Sequence, residues 1–180
     1  RILWGDRMIL AIQQERHSDI LMEVIPVFEG GKVLHVCDSC AARVGRFVSF
    51  GRFDGSLGSI YKFTKEKDFG RIKEEVYVGL GKEEEVTAEK IRQAIAKAIK
   101  EVKKLNVDRA TVRFIDLEQL STEEVVKAIA EAVVFADYEF NKYKEPKKDK
   151  VQLKEVRIAS VAEEKVAAAE KALEEARILI

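Results

Sequence analysis

The stretch from Glu75 to Lys104, EVYVGLGKEEEVTAEKIRQAIAKAIKEVKK, constrains the fold more than any other part of the sequence. Glu75 to Leu80 is a short apolar run rich in β-branched and aromatic residues, the pattern of a buried strand. A Gly-Leu-Gly-Lys turn and three glutamates follow, and Thr87 then stands where a helix N-cap belongs, with Glu89 in the first turn to complement the helix dipole. Ile91, Ile95, Ala98, Val102 and Leu105 recur at spacings of three and four, which draws one apolar face with Lys and Glu opposite. A buried strand that feeds a long amphipathic helix is half of a strand–helix–strand unit, so the chain is expected to be α/β.

The same grammar repeats downstream. Asn106 closes the helix, Ala110 to Ile115 reads as the next strand, and Ser121 with Glu124 has capping-box spacing ahead of Val126, Ile129, Val133, Ala136 and Phe140. Val151 to Ala159 reads as a further strand, and Ser160 with Glu163 as a second capping box that starts a final helix. Upstream, Met8 to Ile12 fits a short strand. Leu21 to Phe28 is a better one, expected to sit at a sheet edge or to carry a bulge because Pro26 cannot donate to a ladder. Gly30-Gly31 then suggests a hairpin with Lys32 to Val36 as its return strand. Residues 38–53 carry apolar residues on more than one period, 56–64 read as a short helix or loop, and 65–75 as a charged surface connector. The expected architecture is a mixed, mostly parallel sheet with helices on both faces and antiparallel strands near the amino terminus. Residues 1–20 are read as an extension or short edge strand, 21–160 as the domain, and 161–180 as a helix that leads onward. Its seam of Val166, Ala169, Leu173, Ala176 and Ile180 is still running at the last residue, which reads as a piece of something larger.

Composition narrows the classes. The 180 residues carry 32 Lys and Arg against 32 Asp and Glu, which argues against a chain-wide polyanion-binding role. No apolar run approaches the ~18 residues of a membrane span, and two cysteines are too few for a secreted disulfide scaffold, so a cytoplasmic protein is expected. Charged residues make up 36%, mostly Lys and Glu, with only two prolines. That resembles the ion-pair-rich surfaces of heat-adapted proteins, and the chain is expected to melt above the range of ordinary mesophile domains.

Three patterns offer chemistry. Cys37-x-x-Cys40 with His35, and His17 elsewhere, has the residue types for thiol redox work or a four-ligand zinc site. Zinc ribbons use two such pairs, so two small thiols beside a turn is the competing reading. Gly79-Leu80-Gly81-Lys82 resembles a phosphate loop in part, but Glu83, Glu84 and Glu85 would repel an anion. Lys142, Lys144, Lys147, Lys148 and Lys150, with Tyr138, Phe140 and Tyr143, offer phosphate and base-stacking contacts or simply a solvated loop. GxSxG and HExxH are missing from the sequence, and the remaining acids read as surface, so no catalytic, cofactor-binding or metal-binding residue is assigned.

Val78-Gly79-Leu80-Gly81-Lys82, the acids Glu83 to Glu85, Thr87-Ala88-Glu89-Lys90 and the alanine-rich turn Ala94 to Ala98 together resemble the amino-terminal domain of the leucyl (cytosol) aminopeptidases. Phe140-Asn141-Lys142-Tyr143-Lys144 matches a second family motif, Lys65 to Gly70 a loop ahead of the strand, and 151–159 with 162–177 the segment toward the catalytic half. The resemblance runs from about Met22 to the end and departs at 1–20 and 35–53. It implies a macro-like α/β domain, three layers thick and itself non-catalytic, that serves hexamer assembly and substrate access. It also implies an absent catalytic domain holding two divalent metals, Zn or Mn, that removes amino-terminal residues from peptides. The family's metal motifs, G-K-G-I-T-F-D-S-G-G and N-T-D-A-E-G-R, occur nowhere in the sequence. The competing expectation is a free-standing macro-like module for a nucleotide or ADP-ribose-type ligand, whose cue is the glycine turn after a central strand.

Overall fold

A computed structural model describes residues 2–4, 8–14, 19–33, 38–142 and 149–179. In chain order the elements are β1 (Ile2–Trp4), β2 (Met8–Ile12), β3 (Met22–Phe28), α1 (Asp38–Ser49), β4 (Ile60–Glu66), β5 (Ile72–Gly81), α2 (Ala88–Lys103), β6 (Arg109–Arg113), α3 (Thr122–Lys142), β7 (Glu155–Ala159) and α4 (Glu163–Leu179). The seven strands form one sheet in the order β1-β2-β7-β6-β3-β5-β4. The inner five run parallel, while β1 and β4 lie antiparallel at the two edges. The expected mixed, mostly parallel sheet is what forms.

Helices cover both faces. The period-2 alternation of the strands sends Leu10, Met22, Val24, Val76, Val78, Val112, Val156 and Ile158 into one core with α2, α3 and α4. On the opposite face α1 packs Val44 and Phe47 against Ile25, Val27 and Tyr77. The helix starts follow local chemistry. Thr87 caps α2 by accepting from the Lys90 amide at 3.3 Å. Ser121 and Glu124 cap α3 reciprocally, at 3.1 and 2.7 Å. Asn106 ends the α2 unit in a left-handed conformation, φ 61°, and its side chain accepts from the Val151 amide.

Several expectations are corrected. β3 is not an edge strand but lies between β6 and β5, and the other expected feature, an irregular ladder, is present where its register with β5 shifts between Val27 and Phe28. Its ladder with β6 is paired only at Glu23 and Val24, and Glu29 N–H donates toward β5. Alternation therefore turns Pro26 toward the β6 side, beyond the last paired residue, where no donor is missed. Residues 32–33 form no strand, and 34–36 lie outside the described residues. Instead Gly30 and Gly31, both at positive φ, fold the chain so that Phe28 N–H donates to Lys32 O. Residues 60–64, read as helix or loop, form strand β4 together with Lys65 and Glu66, and its alternating Tyr61 and Phe63 stack on Phe47 while Lys62 and Thr64 face water. The supposed surface connector is the turn of the β4–β5 hairpin, and β5 begins at Ile72 rather than Glu75. The ambiguous 38–53 stretch is mainly helix. β7 starts only at Glu155. The box at Ser160 does not form: Ser160 takes φ 65°, its amide donates to Gln14, and α4 begins at Glu163.

Candidate functional site

Open parallel sheets bind ligands beyond the carboxyl ends of their strands. At the end of β5 that space is filled by the chain itself. Gly79 N–H donates to Ser59 O at 2.9 Å, Gly58 N–H to Gly79 O at 2.9 Å, and Gly81 N–H to Gly55 O at 3.0 Å. A Cβ at position 79 would stand 1.9 Å from Ser56 O, so glycine is required by close approach of two backbones. The amides of a phosphate cradle are thus already spent. Alongside, Glu83, Glu84, Asp116 and Glu118 line a hollow of about 380 Å³ that repels anions. The nucleotide-module reading finds no support here.

The sheet face that carries α1 holds a buried charge network that the sequence reading took for surface. In one register row across the sheet stand Arg157 (β7), Thr111 (β6), Glu23 (β3), Glu75 (β5) and Phe63 (β4). Glu23, 2% exposed, accepts from Lys73 at 3.2 Å and from Arg113. Arg43 reaches down from α1 to Glu75 at 2.8 Å and to the Tyr77 hydroxyl at 3.2 Å, and lies over the Phe63 ring. Burial, and then the bonded Glu75 carboxylate, holds the Tyr77 hydroxyl far above its ordinary pKa. Arg157 and Arg109 meet Glu155 at 3.3 Å each. A signal existed: charges sit at the same alternation phase in MEVIPVF (Glu23), ATVRF (Arg113) and EVRIA (Glu155 and Arg157). Each acid meets a cation, so the network fixes register rather than poising a proton.

The other sequence candidates scatter. Cys40 is buried on α1, and His17, His35 and Cys37 lie outside the described residues. Among the described residues no group of three or more His, Cys, Asp or Glu is placed to hold a metal ion. Lys142 is exposed at the end of α3, Lys150 is half-buried, and Tyr138 is 65% exposed. Phe140 belongs to α3, while Tyr143, Lys144, Lys147 and Lys148 lie outside the described residues.

A further hollow lies at the opposite end of the sheet, where β3, β5 and β6 begin. It measures about 670 Å³ and is lined by Asp19, Leu21, Ile72, Glu74, Asp108, Arg109 and Val151 among others. Sequence reasoning missed it entirely. Glu74 Oε2 is shut off from solvent and accepts no hydrogen bond, and burial raises this carboxyl above the ordinary 4.5. A carboxyl raised in the folded state contributes most below its unfolded pKa, and that contribution is lost as pH climbs through the folded value. Glu74→Gln is therefore expected to raise the melting temperature near neutral pH, with the gain vanishing below 4.5. Thermal melts across that window check it.

Against this geometry the comparisons are decisive. A sequence model described as the cytosol aminopeptidase family, N-terminal domain, matches residues 24–147. The chain belongs to the cytosol aminopeptidase family. It is 40% identical over 130 residues to a probable cytosol aminopeptidase of Clostridium perfringens (strain 13 / Type A), covering 71% of this chain and 26% of that protein. A probable cytosol aminopeptidase of Aquifex aeolicus (strain VF5) is 35% identical over 119 residues, covering 66% and 23%. This cytosol aminopeptidase domain thus spans about a quarter of the length of those relatives. In fold it is similar to a tomato leucine aminopeptidase mutant, with TM-score 0.66 at 17% identity over 96% of this chain and 36% of that one. It is also similar to the bottromycin maturation enzyme BotP, with TM-score 0.57 at 22% identity over 86% and 30%. Among the described residues no helix is long and apolar enough to cross a membrane.

Proposed function

We propose that this domain is the non-catalytic amino-terminal part of a cytoplasmic metallo-aminopeptidase and serves its assembly and substrate access. The whole protein would remove amino-terminal residues from peptides with two divalent metals, Zn or Mn, held in a catalytic domain that follows residues 161–180. Its subunits would form a homo-hexamer. The observation that carries the reading is family membership over a quarter-length domain whose ligand-binding sheet edge is closed by its own chain. The surface adds support. Phe69 sits at the tip of the β4–β5 hairpin at φ 64° and is 99% exposed, an apolar side chain that a partner would cover.

Two measurements test this. The 180-residue chain should not hydrolyse leucine p-nitroanilide with added Mn²⁺ or Zn²⁺; turnover would overturn the non-catalytic assignment. In the full-length protein Phe69→Ser should shift sedimentation toward smaller species. An unchanged assembly, with unchanged kcat/KM on long and short peptides, would count against the docking role.

A further inference from the structure

We propose that the chain pairs with a second copy of itself along the free edge of β4, antiparallel and two-fold symmetric about Thr64. Among the described residues no strand lies beyond β4, which ends the sheet. Which of its backbone groups stay unpaired follows from the alternation of an antiparallel ladder. At one end of the β4–β5 pairing Gly79 N–H donates to Ser59 O, and at the other Lys67 N–H donates to Arg71 O. The odd-numbered residues between them therefore bond to β5, in the register Tyr61↔Tyr77, Phe63↔Glu75 and Lys65↔Lys73. The amides and carbonyls of Ile60, Lys62, Thr64 and Glu66 point away from the sheet. That row is a template for one more strand.

The side chains of the edge select its partner. Lys62, Thr64 and Glu66 are exposed and project from the face that carries α2, where Lys62 meets Glu101 at 3.0 Å. A lysine on an edge ordinarily discourages the addition of a strand. Pairing about Thr64 removes that obstacle, because Lys62 of each copy then stands opposite Glu66 of the other. Opposite charges in directly opposed positions stabilise a sheet, and like charges destabilise it. A shift that sets Lys62 against Lys62 is thereby disfavoured. The ends of the edge agree. Phe69, exposed at the hairpin tip, is carried toward Ser59 of the second copy, next to the exposed Leu57 on the segment that continues the edge. Two-fold symmetry makes that contact twice and uses up the β4 edge of both copies, so the pairing closes at two. This gives the assembly reading a surface for Phe69 and rests on it in that respect alone.

Sedimentation equilibrium of the 180-residue chain over a wide range of protein concentration tests the proposal. The interface is small, so a monomer–dimer equilibrium is expected rather than a permanent dimer. Thr64→Pro removes an outward N–H and none of the bonds to β5, so it should leave the circular dichroism intact and the chain monomeric. Lys62→Glu and Glu66→Lys should each weaken the dimer roughly tenfold, and the double variant should recover most of the loss. Phe69→Ser should weaken it severalfold. A chain that stays monomeric throughout, a dimer indifferent to Thr64→Pro, or two reversals that the double variant fails to rescue overturns the proposal. The assembly reading is judged on the full-length protein, where a Phe69 effect without a Thr64→Pro effect would uphold it and remove this edge from it.

Discussion

Gly79→Ala will destabilise the domain by about 3 kcal/mol or more, at the upper end of what overpacking costs. The added methyl would stand 1.9 Å from Ser56 O and 2.6 Å from Gly55 C, both backbone atoms that no rotamer change can move aside. Either β5 bends or the 55–59 segment lifts off, and the second path breaks the bonds from Gly58, Gly79 and Gly81 together. Gly81→Ala, which adds the same single methyl two residues further on, is the control. Position 81 holds φ 79° but its Cβ would meet only Leu57 at 3.6 Å, so about 1 kcal/mol of left-handed strain is expected. Denaturant melts of the two variants should separate by at least twofold in lost stability; equal losses would mean that close approach is not what selects Gly79.

Glu23→Ala is expected to cost about 3 kcal/mol, the lower end for removing one partner of a buried ion pair. The carboxylate serves two cations at once, Lys73 on β5 and Arg113 on β6, and so ties β3 to both neighbours. The expected fall in melting temperature is on the order of 10 °C, at about 2–4 °C per kcal/mol for a chain of this size. Glu66→Ala, at an exposed position at the end of β4, should stay within about 0.5 kcal/mol. A Glu23 loss no larger than that would show that the network contributes nothing net.

What was legible in the sequence was whatever local chemistry decides alone. The Thr87 cap and the helix it opens, the Ser121–Glu124 box and the short strand at Met8 to Ile12 all form as read, because each rests on neighbours within four residues or on burial with a clear period. Pro26 misled because the cost of a missing donor depends on how far the ladder with β6 extends, which is a tertiary fact. β4 was hidden by Lys62, Thr64 and Lys65, polar residues on an edge strand with a wet face, in a run short enough to pass for loop. Ser160 failed as a cap because Gln14, 146 residues away, takes its amide. The candidate sites fared differently. The acids after the glycines, read as repelling an anion, line one hollow with Asp116 and Glu118. The charge network and the cleft could not be found by motif, since their members come from strands far apart in sequence and meet only through register. The family resemblance carried what spacing could not.

The placement of β2 and β7 has a practical consequence. The family match ends at 24 and 147, yet β2 comes before that window and β7 after it, and the two pair with each other in parallel next to β6. A polypeptide trimmed to the matched window would strip three strands from one side of the sheet and leave β6, buried in the native order, as a bare edge of unpaired amides and carbonyls. Short apolar strands exposed in that way recruit other chains. Such a fragment would be expected to aggregate, and the residues flanking the recognisable motif are what keep the domain to itself.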